Sequence, residues 1–389
     1  MLKAGAGSST SPNAVEGARE AAHRAMERLG ETRADLVVAF LAGVHRAGYS
    51  DMLRAVQVTT GCGRITGGSG LGIIANEEEI ERGPGVAVLA LSGAEALHPF
   101  LLPALDSLGD DQGRHLAELV APLAPAGSTV ALFGDPFAFS PPAAFAAFEK
   151  ALPGIPLVGG LCSGLPMLRQ TWQLQGTRAE TGAVAGLVVP PSVTATLGVA
   201  QGCRPIGKTF AITKGKGNVI VEIGGRRALD VLKESVSEVE EEGAERVVVF
   251  LGIAIDPAKH PLGRGDFVVR HLVGHDPDSG AIAVAEPIRV GQSVRFQLLD
   301  TEAAREDMRE TVKKVRERLE GRRPAFGLYF NCLGRGEGLF KEPHHDVRAV
   351  REALGEFPLV GFYGNGEIAP VGGRNLLHGY TGVLVVVSE

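Results

Sequence analysis

The chain contains four cysteines and one tryptophan among its 389 residues. No two cysteines have C-x-x-C spacing, and so few thiols in so long a chain exclude a small scaffold held together by disulfides. We therefore expect reduced thiols in a cytoplasmic protein. The cysteines are Cys62, Cys162, Cys203 and Cys332.

Long apolar runs and an excess of positive charge are also missing. No window reaches the roughly 18 apolar residues of a membrane span, and the first 30 residues lack the compact apolar stretch of a signal peptide. Lysine and arginine total 39 against 45 aspartates and glutamates, giving a formal net charge of −6. A nucleic-acid backbone requires a basic surface. We expect a cytoplasmic protein with no membrane span and no nucleic-acid partner.

Glycine, in contrast, is abundant: 53 residues, about twice the usual share of roughly 7%. The hydrophobic content of 44% and the charged content of 22% are ordinary for a folded protein. Glycine clusters mark places where the backbone takes positive φ or approaches another group closely. Each cluster follows a predicted strand, and the crevice beyond strand ends is a common ligand position in α/β proteins.

The chain repeats part of itself. In each half, an apolar strand is followed by a helix with apolar positions three and four residues apart, and then by the sequence PLVG. The offset stays at 202 residues from the helix through PLVG. The matching elements are Thr129–Phe133, Phe145, Phe148, Leu152 and Pro156–Gly159 in the first half, and Ala325–Phe330, Val347, Val350, Leu354 and Pro358–Gly361 in the second.

These patterns predict a mixed α/β fold with two similar halves. Each half contains a mixed β-sheet with βαβ and antiparallel meander elements and helices packed on one face. Residues 1–32 form an N-terminal tail and helix, residues 33–195 the first half, and residues 196–389 the second. The second half begins with a β-ribbon and a connecting helix at 196–245. The alternative is one large α/β domain with recurrent βα units.

Polar side chains gather after two neighbouring strands of the second half. An arginine opposite carboxylates suits a zwitterion, with Arg335 binding the ligand carboxylate in bidentate fashion and Glu367 binding its ammonium. The alternative is an internal ion pair between arginine and glutamate, with no ligand. The candidate ligand-binding residues are Asn331, Cys332, Arg335, Glu337, Tyr363, Asn365 and Glu367, together with Cys62 in the first half.

No residue pattern indicates catalysis or a metal site. Adjacent side chains on a helix diverge, so His344, His345 and Asp346 do not share an ion and indicate a solvated helix start. No cysteine has a histidine nearby in the sequence, so core packing is the first expectation for all four thiols. We assign no catalytic residue and no metal ligand.

Several segments resemble the FIST proteins, whose N and C segments form a sensory module. The second half carries GCRPIGKTFAITKGKGN, SGAIAVAEPIRVGQSVRFQ, FNCLGRG and PLVGFYGNGEIAPVGG, and the first half carries VTTGCGRITGG. Where the family pattern in the first half has a glutamate, this chain has Gly68. The resemblance covers residues 35–388. It implies a non-catalytic intracellular sensor of a small molecule, such as an amino acid or a derivative, that signals through a partner such as a kinase.

Two other functions stay open. Some relatives are reported to bind haem and sense nitric oxide, and a haem would need a histidine as axial ligand. His98, His271 and His378 are the candidates. A third interpretation is an enzyme in which Cys62 or Cys332 is a nucleophile activated by a nearby base. The sequence does not identify the ligand, the output partner or the oligomeric state.

Overall fold

The computed structural model describes residues 1–241 and 248–389. The chain divides into two compact units. Unit 1 consists of Met1–Ala200, Met308–Leu377 and Thr381–Glu389, and unit 2 consists of Gln201–Asp307 with His378–Tyr380. The units therefore do not follow the expected boundary between residues 195 and 196, because the last strands of the chain belong to the same sheets as the first half.

Unit 1, all of whose residues are described, contains three copies of one element order: strand, helix, strand, helix, strand, two short strands and a final strand. The first repeat comprises β1 Lys3–Ser9, α1 Ala14–Leu29, β2 Leu36–Ala42, α2 Tyr49–Thr60, β3 Ile65–Gly70, β4 Ile73–Ala75, β5 Glu78–Ile80 and β6 Val86–Ser92. The second comprises β7 His98–Leu102, α3 Asp110–Val120, β8 Thr129–Gly134, α4 Pro141–Ala151, β9 Leu157–Leu161, β10 Gln173–Gln175, β11 Arg178–Glu180 and β12 Val184–Val189.

The third repeat is interrupted in sequence by unit 2 and has one additional short helix, α7. Its elements are β13 Thr194–Gln201, α6 Thr301–Leu319, β22 Pro324–Cys332, α7 Glu337–Phe340, α8 His345–Leu354, β23 Leu359–Gly364, β24 Glu367–Val371, β25 Arg374–His378 and β26 Thr381–Ser388. Two short 3₁₀ helices, Gly43–Gly48 and Pro166–Leu168, follow strands of the first two repeats.

Each repeat builds one six-stranded sheet around a parallel βαβ pair. The strand orders are β1-β6-β2-β3-β10-β11, β7-β12-β8-β9-β24-β25 and β13-β26-β22-β23-β4-β5. The parallel pairs are β2–β3, β8–β9 and β22–β23. The mixed α/β class is confirmed. The expected match between the two halves corresponds to β8-α4-β9 and β22-α8-β23, and β2-α2-β3 is a third copy.

The two short strands of each repeat leave their own sheet and complete another. The pair β4–β5 of the first repeat joins the third sheet, and the pair β10–β11 of the second repeat joins the first sheet. The pair β24–β25 of the third repeat joins the second sheet. This cyclic exchange places residues of the first repeat beside the third repeat's βαβ pair, because β4 lies antiparallel to β23.

The inner faces of the three sheets share one apolar core. Phe40, Phe133 and Phe330 occupy corresponding positions on β2, β8 and β22, and their ring centroids lie 5.2 to 6.3 Å apart. Edge-to-face and tilted contacts at this spacing are favourable for aromatic rings. The side chains of alternating strand residues point to the opposite faces, where they pack against the helices of their own repeat: α1 and α2, α3 and α4, or α6 and α8.

Some of the glycine enrichment serves strand pairing rather than turns. Gly67, Gly159 and Gly361 occupy corresponding positions in the second strand of each parallel pair. A Cβ at these positions would lie 1.7, 2.1 and 1.7 Å from a carbonyl oxygen of the adjacent strand. Only glycine fits so close an approach.

The tail expected at the start of residues 1–32 is instead largely the edge strand β1, Lys3–Ser9, which pairs antiparallel with β6. The segment KAGAGSS resembles a loop in composition, but its small side chains let α1 pack directly on the strand. A Cβ on Gly5 would lie 2.2 Å from the Ala25 carbonyl oxygen, and one on Gly7 would lie 2.3 Å from that of Ala21. The expected helix after the tail is confirmed as α1, which begins after the N-cap Asn13.

Unit 2 contains a sheet that closes on itself. Its strand order is β14-β21-β15-β16-β20-β19-β18, with a further pairing between β21 and β18. Its elements are β14 Cys203–Pro205, β15 Phe210–Lys216, β16 Val219–Ile223, β17 Arg226–Arg227, α5 Ala228–Glu241, β18 Val249–Ala254, β19 Phe267–Asp276, β20 Ala281–Val284 and β21 Ser293–Leu299. The expected ribbon and helix at 196–245 correspond to β13 through α5, and residues 242–245 lie outside the described residues.

Candidate functional site

A buried ion pair lies at the C-terminal end of β22 in the third sheet. Arg335 follows β22 and donates to both carboxylate oxygens of Asp346 on α8, with nitrogen–oxygen distances of 3.0 and 3.1 Å. The exposed fractions of the two side chains are 0% and 1%. Asp346 is therefore buried, and the solvated helix start expected at this position is wrong. The partner of Arg335 is thus an aspartate, and not the glutamate of the internal ion pair considered as the alternative.

Three more side chains hold the same carboxylate. The Tyr329 hydroxyl and the Asn331 amide donate to Oδ2 of Asp346 at 2.8 and 3.0 Å. His345 Nδ1 lies 2.9 Å from Oδ1. Burial alone raises the pKa of Asp346, but Arg335 and then His345 outweigh it and hold the pKa at about 2. The carboxylate is thus ionised and fully paired.

Glu79 approaches this pair from the exchanged strand β5. Its side chain is buried, with 5% of the residue exposed, and neither carboxylate oxygen has a side-chain hydrogen-bond partner among the described residues. Burial, followed by the charge of Asp346, raises the pKa of Glu79 well above its usual value, although the backbone N–H of Val347 and the charge of Arg335 oppose the shift. Its own backbone N–H donates to His344 Nδ1 at 2.9 Å. A buried, unpartnered carboxyl group is costly and requires an explanation.

Two further buried groups of this cluster have incomplete hydrogen bonding. The Tyr363 hydroxyl has no partner among the residues that the structure describes, and the same is true of Oε1 of Glu367. Burial raises the pKa of Tyr363, and Glu79 is the charged group that raises it most. Burial also raises the pKa of Glu367 well above its usual value, although the Thr381 amide and Arg335 oppose the shift. Buried acids here outnumber the single arginine.

A cavity of about 480 Å³ opens beside this cluster. Glu81 and Glu337 are tied together at its wall, because the Glu337 backbone N–H donates to Glu81 Oε1 at 2.6 Å. Burial raises the pKa of Glu81 despite that hydrogen bond. The lining residues are Glu79, Glu81, Arg82, Glu337, Gly338, Lys341 and Pro343.

The loop that borders the cavity has an unusual backbone. Lys341 and His344 both have positive φ, at 59° and 58°, a conformation that costs energy for residues other than glycine. The His345 ring stacks on Phe340 with centroids 3.7 Å apart, and the Arg335 guanidinium lies over the same phenyl ring. The strained loop is thus fixed by contacts with the buried ion pair.

The fold itself does not require these polar groups. At the positions that correspond to Tyr329 and Asn331, the second repeat has Leu132 and Gly134. The 202-residue offset pairs Asp346 with Ala144, which is also buried. In the first sheet, the position of Glu79 is filled by Ala179. The polar cluster is therefore specific to the third sheet.

The structure brings most of the expected site residues together, in different roles. Asn331 and Arg335 bind Asp346; Glu337 lines the cavity; Tyr363 lies near Glu79. Glu367 accepts a hydrogen bond from the Thr381 amide, and the Cys332 thiol hydrogen-bonds to the Glu367 side chain.

Two expected residues lie elsewhere. Asn365 is exposed and donates to the Cys162 carbonyl oxygen at 3.0 Å. Cys62 is buried in the core between the first sheet and its helices, where burial raises its pKa. Gly68, where the family pattern has a glutamate, leaves no room for a side chain, because a Cβ would lie 2.5 Å from Cys162 Sγ.

Sequence reasoning missed Glu79, Glu81 and Arg82. They belong to the segment EEEIER, in which an isoleucine follows three glutamates, a pattern typical of a solvated turn. The available signal was the period of two along a strand: the Glu79 side chain points to one face of β5, and those of Glu78 and Ile80 point to the other. The sheet that β4–β5 joins decides which of the two faces is buried.

The histidines considered for haem do not border the cavity. His271 Nε2 lies 3.1 Å from the Tyr380 hydroxyl, His98 begins β7, and His378 is buried. None is among the lining residues, so this cavity offers no axial histidine to a haem iron. Among the residues that the structure describes, no group of three or more His, Cys, Asp and Glu side chains is arranged to hold a metal ion. Within the same residues, no helix is long and apolar enough to cross a membrane.

Comparison with known proteins gives two kinds of match. A protein of Mycobacterium tuberculosis strain H37Rv, described as uncharacterized, is 34% identical over 397 residues and covers 100% of both chains. One from Mycobacterium bovis, also described as uncharacterized, is 34% identical over 392 residues, covering 100% of this chain and 99% of its own. A cyanuric acid hydrolase from A. caulinodans is 12% identical with a TM-score of 0.23, over 48% of this chain and 70% of its own. At that score the likeness carries no argument.

The family models match most of the chain. The FIST N domain matches residues 35–226, and the FIST C domain matches residues 228–370. The two matched segments are consistent with the expected two-part description of the chain, and the division between them lies at residues 226–228. FIST domains are sensory domains that bind small ligands in signal transduction. This chain belongs to the FIST family.

Proposed function

We propose that this protein is a non-catalytic cytoplasmic sensor that binds an amino acid or an amino-acid derivative in the cavity beside Glu79. Binding is passed to a partner protein, such as a signalling kinase. The volume of about 480 Å³ lies within the range of small-molecule sites, about 300 to 1,000 Å³. Acidic and basic side chains both line it, as a zwitterionic ligand requires.

The observation that carries this proposal is the Glu79 carboxyl group, which is buried and has no side-chain hydrogen-bond partner among the described residues. Removing such a group from water without compensation is unfavourable. The corresponding position of another sheet is an alanine, so the fold tolerates an apolar residue there. A ligand ammonium would supply the missing donors and the missing positive charge.

The other residues divide into two groups in this proposal. Glu79, Glu337 and Tyr363 bind the nitrogen-bearing end of the ligand, and Arg82 and Lys341 bind its carboxylate. Behind them, the ion pair of Arg335 with Asp346, supported by Asn331, fixes the loop that carries Glu337. Cys332 and Glu367 lie in this supporting layer, where the cysteine acts as a hydrogen-bonding group and not as a nucleophile.

Isothermal titration of the full chain against the twenty common amino acids and their decarboxylated derivatives tests this function. We expect saturable binding of at least one compound, weakened by Glu79→Gln, which removes the charge with little change in volume. The matched control is Glu352→Gln, which makes the same change at an exposed position on α8. Absence of binding by any compound to a protein shown to be folded would contradict the proposal.

A further inference from the structure

The proposed function leaves open which chemical class of amino compound the cavity selects. We infer that the ligand presents a planar guanidinium group to Glu79, which makes arginine or an arginine derivative such as agmatine the ligand class. This inference rests on the proposed function and makes it more specific. It is argued from the acceptors that lack side-chain partners, from the charge of the cavity and from the two cations in its lining.

The first observation concerns the number and arrangement of free acceptors. Both oxygens of one carboxylate, on Glu79, are buried without a side-chain partner among the described residues, and the buried Tyr363 hydroxyl also lacks one. A guanidinium carries five N–H donors in a rigid plane and can donate two parallel hydrogen bonds to both oxygens of a carboxylate. An ammonium group is a compact charge whose three donors diverge. Two vacant oxygens on the same carboxylate therefore favour the fork-shaped donor.

The second observation concerns charge. Three glutamates line the cavity, Glu79, Glu81 and Glu337, against the two cations Arg82 and Lys341. Burial raises the pKa of both Glu79 and Glu81, so each carboxyl group takes up a proton more readily than usual unless a cation lies beside it. A ligand cation favours the charged form of Glu79 and complements this wall.

The third observation concerns the two cations that line the cavity. Arg82 is exposed. The Lys341 ammonium donates a 2.8 Å hydrogen bond to the Gly338 carbonyl oxygen, which holds it at the loop that borders the cavity. These cations suit the α-carboxylate of an amino acid. Arginine thus places its guanidinium against Glu79 and its carboxylate toward the cations, while agmatine uses only the first contact.

Titration calorimetry with four probes tests this inference: L-arginine, agmatine, L-citrulline and L-lysine. Citrulline has nearly the shape of arginine but a neutral urea group in place of the guanidinium. We expect arginine to bind at least about tenfold more tightly than citrulline, because a site built to bind a charged donor rejects the analogue that lacks it. Lysine, which keeps the charge but loses the planar fork, should be intermediate.

Two variants locate the effect. Glu79→Gln should reduce the ratio of arginine to citrulline affinity to near one, and Glu352→Gln should leave the ratio unchanged. Tyr363→Phe removes a hydroxyl that has no partner among the described residues, so it should fold normally and weaken arginine binding. Thermal unfolding of each variant establishes that it is folded before titration.

The outcomes separate the two proposals. Citrulline binding as tightly as arginine, or an arginine preference that survives Glu79→Gln, would overturn the guanidinium inference. Binding of neutral amino acids without arginine would overturn it too, while leaving the amino-acid sensor in place. If no amino acid or derivative binds the folded chain, the proposed function itself fails.

Discussion

Arg335 and Asp346 form a bidentate ion pair in which both side chains are almost completely buried. Arg335 lies in the loop after β22 and Asp346 in the first turn of α8, so the pair joins that loop to α8. Tyr329 and Asn331 complete the hydrogen bonding of the carboxylate. Buried pairs of this kind are stable only when the remaining donors and acceptors are satisfied.

Asp346→Asn should lower the free energy of unfolding by about 3–5 kcal/mol, because it leaves the arginine charge buried without its counter-ion. Urea denaturation at neutral pH measures the loss. The control Asp51→Asn removes the partner of Arg54, an exposed pair at 3.9 Å, and should cost less than about 1 kcal/mol. Similar losses for the two variants would show that burial does not set the strength of the Arg335 pair.

The pH dependence of this pair has a definite direction. The folded pKa of Asp346 is held at about 2, below its usual value of 3.8. Its contribution to stability is therefore fully present above pH 3.8 and is lost as the pH falls through about 2. The difference in stability between the wild type and Asp346→Asn should shrink across that interval.

Glu79→Gln should stabilise the folded protein increasingly as the pH rises above 4.5, the usual pKa of the glutamate. The folded pKa of Glu79 is raised, so its protonated form is favoured by folding, and the wild type loses stability as the pH rises through the folded pKa. A tenfold difference in acid dissociation constant between the folded and unfolded states corresponds to about 1.4 kcal/mol of stability. Urea unfolding at a series of pH values measures the difference, with Glu352→Gln expected to follow the wild type. A constant difference between wild type and Glu79→Gln at all pH values would contradict the raised pKa.

Binding of L-arginine should release protons from the wild-type protein at pH values below the raised pKa of Glu79. A guanidinium beside this carboxyl favours its charged form, so the pKa falls when the ligand binds. The observed binding enthalpy should then vary with the ionisation enthalpy of the buffer, corresponding to at most about one proton. In Glu79→Gln this dependence should disappear. An unchanged dependence in the variant would assign the protons to another group.

Gly361→Ala should destabilise unit 1 by about 1–3 kcal/mol or more, the usual range for overpacking, because the new Cβ would lie 1.7 Å from the Tyr329 carbonyl oxygen. Gly338→Ala provides the contrast, since nothing lies within 4 Å of its Cβ position. An alanine in that short helix should leave stability unchanged or raise it by up to about 1 kcal/mol. Chemical denaturation of both variants tests whether close approach is the reason for the glycine.

Cys332 should react first when the native protein is treated with dithionitrobenzoate. It is partly exposed, whereas Cys62, Cys162 and Cys203 are buried. Burial raises the pKa of Cys162 to about 12, which leaves almost no thiolate at neutral pH. One thiol should therefore be modified rapidly, and all four after denaturation. Rapid reaction of Cys62 would return it to the list of candidate nucleophiles.

The sequence predicts the βαβ pairs of the second and third repeats because their apolar spacing and the PLVG strand are almost unchanged between them. The first repeat is not recognised in the sequence as a copy of the other two, for a local reason. Its helix α2 contains AVQVTT, whose β-branched residues favour a strand, yet the contacts of Val56 and neighbouring residues with the first sheet impose a helix. Intrinsic propensity yields here to tertiary packing.

The candidate site is only partly visible in the sequence. Arg335, Glu337 and Asn331 can be selected because they are polar and follow a predicted strand. Their buried counterparts, Glu79 and Asp346, cannot be, because burial depends on which strand the β4–β5 pair completes. Strands of three residues are too short to carry a recognisable period. The role of Arg335 therefore changes from a presumed ligand contact to an internal one.

The cyclic exchange of short strand pairs makes the three repeats inseparable in folding. An isolated repeat would lack the last two strands of its sheet and would expose an unpaired edge, which invites association with other chains. Loss of any one repeat would remove two strands from another repeat's sheet. It would also leave the short strand pair of the remaining repeat without a sheet to join. Unit 1 should consequently melt in one cooperative step, and truncation at a repeat boundary should yield aggregating fragments and no folded intermediates. A structural change in one sheet is therefore transmitted to the next through the short strand pair that connects them.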